Sequence, residues 1–234
     1  MDRSAERDPR LVEKGDDFRR AGLLHRVSAP DGPGPHPTVV MLHGRAGNED
    51  VMWIFARALA PEWLLVAPRA IKEDPAGGYS WRVREQDEWP TLVQFDVAVG
   101  AVVDFIHALP ELYGADLDHV YLMGFSQGAA TSYAVAMRHP HLVQGIAGLV
   151  GFVPMECDDV MAAEPLEEMP IFMAVGKEDE RIPYSRSLAC AHTLQMVGAD
   201  LDYHEYEMGH RMNAEAMRDL EAWWRSREAE IGIR

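Results

Sequence analysis

Apolar residues in this chain arrive in short, nearly unbroken runs separated by longer stretches of helical period. The runs Leu23 to Ser28, Thr38 to Leu42, Trp63 to Ala67, His119 to Met123, Gly145 to Val150, Ile171 to Val175 and Leu201 to Glu207 read as strands. Those between Thr38 and Val175 do not alternate with polar residues, as expected of parallel strands covered on both faces. Helices are predicted over Glu49 to Leu59, Thr91 to Leu109, Gln127 to Arg138, Tyr184 to Val197 and Ala214 to Glu228. Asn48 is the expected N-cap of the first, with Glu49 and Asp50 in its first turn complementing the dipole. Pro90 and Pro110 are expected to bracket the second helix, and Pro140 follows the third. Strand and helix alternate throughout. That order predicts a mostly parallel, doubly wound α/β sheet with right-handed crossovers and helices on both faces, its ligand side lying beyond the strands' carboxyl ends.

A length of 234 residues, 47% of them hydrophobic, suits one domain spanning 1–234, with 1–22 as a partly irregular N-terminal extension. The only linker-like composition is Ala29 to Pro37. The balance of 22 basic against 38 acidic residues gives a formal charge of −16, which repels phosphate backbones and anionic lipid surfaces, so no nucleic-acid partner is expected. Cys157 and Cys190 fall on separate elements and suggest buried thiols rather than a disulfide scaffold. The charged start Met1-Asp2-Arg3-Ser4-Ala5-Glu6-Arg7-Asp8 reads as neither signal peptide nor anchor, and no run reaches membrane-spanning length. A cytoplasmic location is the resulting expectation; homo-oligomerisation is not readable from the pattern.

Candidate chemistry centres on Gly124-Phe125-Ser126-Gln127-Gly128, which joins the apolar run Val120-Tyr121-Leu122-Met123 to the small-residue run beginning at Ala129. This is the signature of a serine nucleophile on a sharp strand-to-helix turn, with glycines two before and two after relieving the crowding. A nucleophilic serine needs a histidine base and an acid to orient it, on later strand-end loops in the order serine, acid, histidine. The loop Gly176-Lys177-Glu178-Asp179-Glu180-Arg181-Ile182-Pro183 supplies the acid. Asp179 is the choice there, although spacing alone does not separate it from Glu178 and Glu180. Met208-Gly209-His210, directly before the last helix, supplies the base. Of ten histidines, His204 lies inside a strand, His192 inside a helix, and His139 and His141 flank a helix-ending proline, so His210 alone follows the acid at a strand's carboxyl end. The segment Leu42-His43-Gly44-Arg45-Ala46-Gly47 leaves an earlier strand with glycines that let backbone approach a substrate.

The motifs Leu42-His43-Gly44, Gly124-Phe125-Ser126-Gln127-Gly128, the G-x-x-D-x-x-I-P form of the loop from Gly176 to Pro183, and Gly209-His210 together resemble the phospholipase/carboxylesterase branch of the α/β-hydrolase superfamily, which includes the acyl-protein thioesterases. The resemblance covers the chain from about Thr38 onward. It implies an α/β-hydrolase fold without a large cap domain, and a serine hydrolase of carboxylic ester or thioester bonds that needs neither metal nor organic cofactor. It also places the acid on Asp179, and by analogy with this fold it assigns the oxyanion hole to the backbone N–H groups of Arg45 and Gln127. Arg45 stands where the eukaryotic thioesterases carry an apolar residue, and the segment Lys72 to Pro90 is unlike theirs, so lipidated-protein substrates do not transfer with the resemblance.

Substrate contacts are expected from His43 on the oxyanion segment and from a wall or partial lid built by Tyr79, Trp81 and Trp89 with Arg82 and Arg84. Trp53 and the run Phe152-Val153-Pro154-Met155 are candidates for an acyl pocket. Packing in a surface cluster or in the core is the equal alternative for these aromatic and apolar residues. Arg45, Arg181 and Arg211, beside the catalytic candidates, would favour a substrate carrying negative charge. Three function classes share this pattern: an esterase or thioesterase, a lactone or amide/peptide hydrolase on the same triad, and a non-catalytic ligand-binding homologue, for which a broken triad would be expected.

Overall fold

A computed structural model of the chain describes residues 8–82, 89–161 and 163–233. Among these residues, ten strands and six α-helices run in the order β1 Arg10–Val12, α1 Gly15–Ala21, β2 His25–Ser28, β3 His36–Leu42, β4 Leu64–Pro68, β5 Lys72–Glu73, β6 Tyr79–Ser80, α2 Asp96–Tyr113, β7 Ala115–Phe125, α3 Gln127–Arg138, β8 Gly145–Leu149, α4 Asp158–Met161, β9 Pro170–Gly176, α5 Tyr184–Met196, β10 Asp200–Tyr206 and α6 Ala214–Glu230. Eight strands form one sheet in the order β1-β2-β4-β3-β7-β8-β9-β10. β1 and β2 are antiparallel to their neighbours, and from β4 to β10 every pairing is parallel.

The apolar runs are continuous because each strand feeds two cores. Val40, Leu42, Leu64, Val66, Val120, Leu122, Ile171 and Met173 pack under α2, α3 and α5. Their sequence neighbours Val39, Met41, Leu65, Ala67, Tyr121, Met123, Phe172 and Ala174 pack on the opposite face, under α6 and the helical segment Val51–Ala58. A side-chain period of two, with both faces dry, requires an apolar residue at every position.

Several local expectations change. The segment Val51–Ala58 is a 3-10 helix rather than an α-helix from Glu49, and Asn48 is not its N-cap: its Oδ1 accepts at 3.1 Å from the N–H of Asp50, the residue that holds the N-cap position. Glu49 is buried and takes two hydrogen bonds from Arg69 at 2.7 Å, so it does not sit in a solvated first turn. Pro110 lies inside α2 instead of ending it. A proline this close to the terminus removes a single intrahelical bond. The stop is Gly114, left-handed at φ 69°, whose N–H bonds to the Pro110 carbonyl at 2.9 Å. With its leading 3-10 turn this helix runs Leu92–Tyr113, 22 residues of mean hydropathy 1.7, long and apolar enough to cross a membrane by length and composition. That corrects the expectation that no run reaches such a length. Its buried face, including Val99, Val102, Phe105, Ile106 and Leu109, belongs to the larger core. Within the N-terminal extension, β1 and α1 are ordered elements that hydrophobic pattern alone does not mark.

Candidate active site

The carboxyl ends of β3, β7 and β9 and the loop after β10 converge on one rim of the sheet. Ser126, between β7 and α3, has φ 55° and ψ −115°, a conformation costing a non-glycine residue about 1–3 kcal/mol. The flanking glycines follow from contact distances. A Cβ on Gly128 would lie 1.9 Å from the Leu42 carbonyl oxygen, and one on Gly124 would lie 2.4 Å from the Ala129 nitrogen. The Ser126 N–H is held by the Leu149 carbonyl at 2.9 Å.

Asp179 is buried at the end of β9. Its Oδ1 accepts from the N–H groups of Arg181 at 2.8 Å and Ile182 at 2.9 Å, which fixes the carboxylate. Its Oδ2 lies 2.7 Å from His210 Nδ1. Neither glutamate neighbour reaches the imidazole: Glu180 Oε2 accepts from the His210 backbone N–H at 3.3 Å. His210 Nε2 stands 2.9 Å from Ser126 Oγ. Since a neutral imidazole carries one proton, donation from Nδ1 to Asp179 leaves Nε2 to accept from the serine hydroxyl. Phe125 supports the ring edge-to-face at 5.3 Å between centroids. Gly176 permits the approach of the histidine loop, for a Cβ there would lie 2.4 Å from the Met208 carbonyl oxygen.

Ser126 opens into a cleft of about 770 Å³, whose apolar lining includes Trp89, Pro90, Phe152, Ile182 and Pro183 and whose polar lining includes Arg45, Arg82, Gln127, Glu180 and Arg181. Of the expected contacts, Phe152, Arg181, Trp89, Arg82 and Arg45 border this space. Arg84 lies outside the described residues. His43, Trp53, Tyr79, Trp81, Val153 and Arg211 do not line it. His43 is fully buried: its Nδ1 bonds to the Gly44 carbonyl at 2.7 Å, its Nε2 accepts from the Ala70 N–H at 3.0 Å, and burial pulls its pKa down to about 4. Trp81 is buried, donating its indole N–H to the His43 carbonyl at 2.9 Å. Tyr79 stacks against Arg69, Trp53 packs on the α6 face of the sheet, Val153 is core, and Arg211 is exposed.

The two segments named for the oxyanion hole both lie beside Ser126. Gln127 is the first residue of α3, where an N–H has no intrahelical acceptor and the dipole favours negative charge. Gly44 presses the other segment against the nucleophile, since a Cβ on it would lie 3.3 Å from Ser126 Cβ. Sequence reasoning passes over two features. The Gln127 side chain clamps the segment behind the cleft, its Oε1 accepting from the Trp81 N–H at 2.9 Å and its Nε2 donating to the Arg82 carbonyl at 2.7 Å. Arg45 is ion-paired with Asp74, whose side chain is fully buried. The dipeptides Asp74-Pro75 and Gly77-Gly78 are turn signals that would have marked the β5–β6 hairpin.

Comparison with known proteins agrees with this architecture. The chain is 23% identical over 205 residues to acyl-protein thioesterase 1 of Yarrowia lipolytica, covering 80% of this chain and 89% of that protein. It is 31% identical over 170 residues to the protein NocK of Nocardia uniformis subsp. tsuyamanensis, covering 70% of this chain and 46% of NocK. The chain spans about half the length of several such curated relatives. The crystal structure of the Bacillus cereus carboxylesterase superposes with a TM-score of 0.78 at 16% identity, over 89% of this chain and 96% of that one, a likeness of fold. Residues 25–226 match the family model described as phospholipase/carboxylesterase, and the chain belongs to that family of α/β hydrolases.

Proposed function

We propose that the protein is a serine hydrolase cleaving carboxylic ester or thioester bonds of small-molecule substrates through an acyl-enzyme. The observation that carries this reading is the unbroken relay from Ser126 Oγ through His210 to Asp179, at 2.9 and 2.7 Å, opening into a cleft. In the proposed reaction His210 Nε2 takes the Ser126 proton as Oγ attacks the carbonyl carbon. Asp179 holds the imidazole in the productive tautomer and stabilises its charged form. The N–H groups of Arg45 and Gln127 receive the oxyanion. The carbonyl re-forms, the bond to the alcohol or thiol breaks, and His210 protonates that leaving group. Water, deprotonated by His210, then releases the carboxylic acid and restores Ser126.

Ser126→Ala should reduce hydrolysis of a p-nitrophenyl ester by about a million-fold while the protein stays folded. A fluorophosphonate probe should label the native chain at Ser126 and leave the variant unlabelled. Native-like turnover in the variant would refute the assignment. A panel of esters and thioesters of several acyl lengths ranks the two bond types. The cytoplasm is the proposed compartment, supported by Cys157 and Cys190, which are buried and unbridged; recovery of the protein in an extracellular fraction would overturn it.

A further inference from the structure

Asp74 is a buried carboxylate in a short hairpin, outside the relay. An ionised carboxylate removed from water is costly unless every lone pair is used, and this one is fully engaged. Arg45 donates through Nε to Oδ2 at 2.9 Å and through Nη2 to Oδ1 at 3.3 Å. Ser80 Oγ donates to Oδ2 at 2.7 Å, and the Ala76 N–H to Oδ1 at 2.9 Å. The hydrogen bond from Arg45 is the leading cause that brings the Asp74 pKa down to about 2, so the pair stays charged at physiological pH.

The hairpin grips the chain from Arg45 to Gly47 at three consecutive residues. Arg45 is held by its side chain, the Ala46 N–H donates to Ser80 Oγ at 3.2 Å, and the Gly47 carbonyl accepts from the Tyr79 N–H at 2.8 Å. A bond from the Gly47 N–H to the Gly44 carbonyl at 3.1 Å closes these residues into a turn. Ala46 sits in it at φ 60°, a left-handed conformation that costs a residue with a Cβ about 1–2 kcal/mol. Such a conformation persists only where the surroundings over-determine it. Gly78 lies so close beneath that a Cβ on it would come within 2.3 Å of the Ala46 carbonyl oxygen. The N–H of Arg45 belongs to a peptide inside this turn.

We infer that Asp74, acting with Ser80, is a positioning residue that holds the Arg45–Ala46 turn where the Arg45 N–H can donate to the oxyanion. The inference rests on the proposed serine mechanism. An oxyanion donor contributes only when it is already aimed at the oxygen's transition-state position, so a loosened turn lowers turnover more than ground-state binding. The same pairing engages Nε and Nη2 of the Arg45 guanidinium with Asp74.

The test measures kcat and KM for p-nitrophenyl butyrate, and inhibition by butylboronic acid, on the full chain. Asp74→Asn keeps the shape but puts an amide N–H₂ against the arginine donors. It should lower kcat about ten- to a hundred-fold, leave KM within about threefold, and weaken boronate inhibition in parallel with kcat/KM. Ser80→Ala keeps the ion pair but removes the Ala46 acceptor, and should lower kcat about tenfold with the same split. Wild-type kcat in a folded Asp74→Asn protein overturns the inference, as does a loss that falls wholly on KM with unchanged boronate inhibition. If Asp74→Asn does not fold, wild-type kcat in Ser80→Ala overturns it instead. Ser126→Ala assayed alongside separates the two levels: activity surviving there defeats the serine mechanism, whereas an inactive Ser126→Ala beside fully active Asp74→Asn and Ser80→Ala defeats only the positioning role.

Discussion

Replacing His43 with glutamine isolates one buried titration and its effect on acid stability. Both ring nitrogens of His43 are used in the neutral form, Nδ1 toward the Gly44 carbonyl and Nε2 toward the Ala70 N–H, and a second proton would turn Nε2 from acceptor into donor against that amide. Burial is the main cause that moves the pKa from 6.5 to about 4. The unfolded chain therefore binds the proton first as pH falls. The resulting stability is complete above about pH 6.5 and is lost progressively as pH drops toward about 4. Integrating between those two values gives a loss of about 2.5 kcal/mol at about pH 4.5 relative to about pH 7. Glutamine can still accept from Ala70 but gives up the Gly44 bond, at a cost of about 1 kcal/mol at neutral pH. Urea unfolding followed by tryptophan fluorescence, on both proteins at both pH values, yields the double difference. His25, also buried and also lowered in pKa by burial, is common to both proteins and cancels. Wild type should lose about 2.5 kcal/mol more than His43→Gln on acidification. Equal losses in the two would refute a neutral, buried His43.

Two further substitutions probe the packing around the nucleophile. Gly128→Ala places a Cβ 1.9 Å from the Leu42 carbonyl oxygen, a backbone atom of the neighbouring strand. It should destabilise by about 3 kcal/mol or more, read as a lower Tm or loss of soluble protein; an unchanged Tm would show that β3 and α3 are not in that contact. Gln127→Ala leaves the buried Trp81 N–H without its side-chain acceptor, at about 1–3 kcal/mol, and should speed proteolytic cleavage near residues 79–82 while fluorophosphonate labelling of Ser126 persists. Unchanged cleavage would mean the clamp does not hold that segment.

Local pattern was enough for the parallel strands and for the order along the chain of Ser126, an acidic loop and His210, whereas the choice of Asp179 within that loop came with the family resemblance. A strand dry on both faces shows its apolar run without reference to any neighbour, and a strained serine turn needs its glycines within two residues. The same locality sets the limit of such a reading. His43 stands inside the Leu42-His43-Gly44 motif, and Trp81 and Val153 stand next to the cleft residues Arg82 and Phe152, yet their side chains turn into the protein, because neighbours along a strand or tight turn face different ways. Pro110 reads as a breaker, although near a helix end it removes only one bond. The edge strand Arg10–Val12 owes its order to pairing with His25–Ser28, which three residues of polar and apolar pattern do not announce. Asp74-Pro75 signals a turn, but nothing local ties Asp74 or Ser80 to Arg45 and Ala46, a link that spans about thirty residues of chain. One-dimensional order reveals chemistry whose parts must be contiguous or must follow one another around a sheet. Which buried carboxylate meets which turn is set only when separate segments are packed against each other, since hydrogen bonds between them depend on distances that exist in the folded molecule alone.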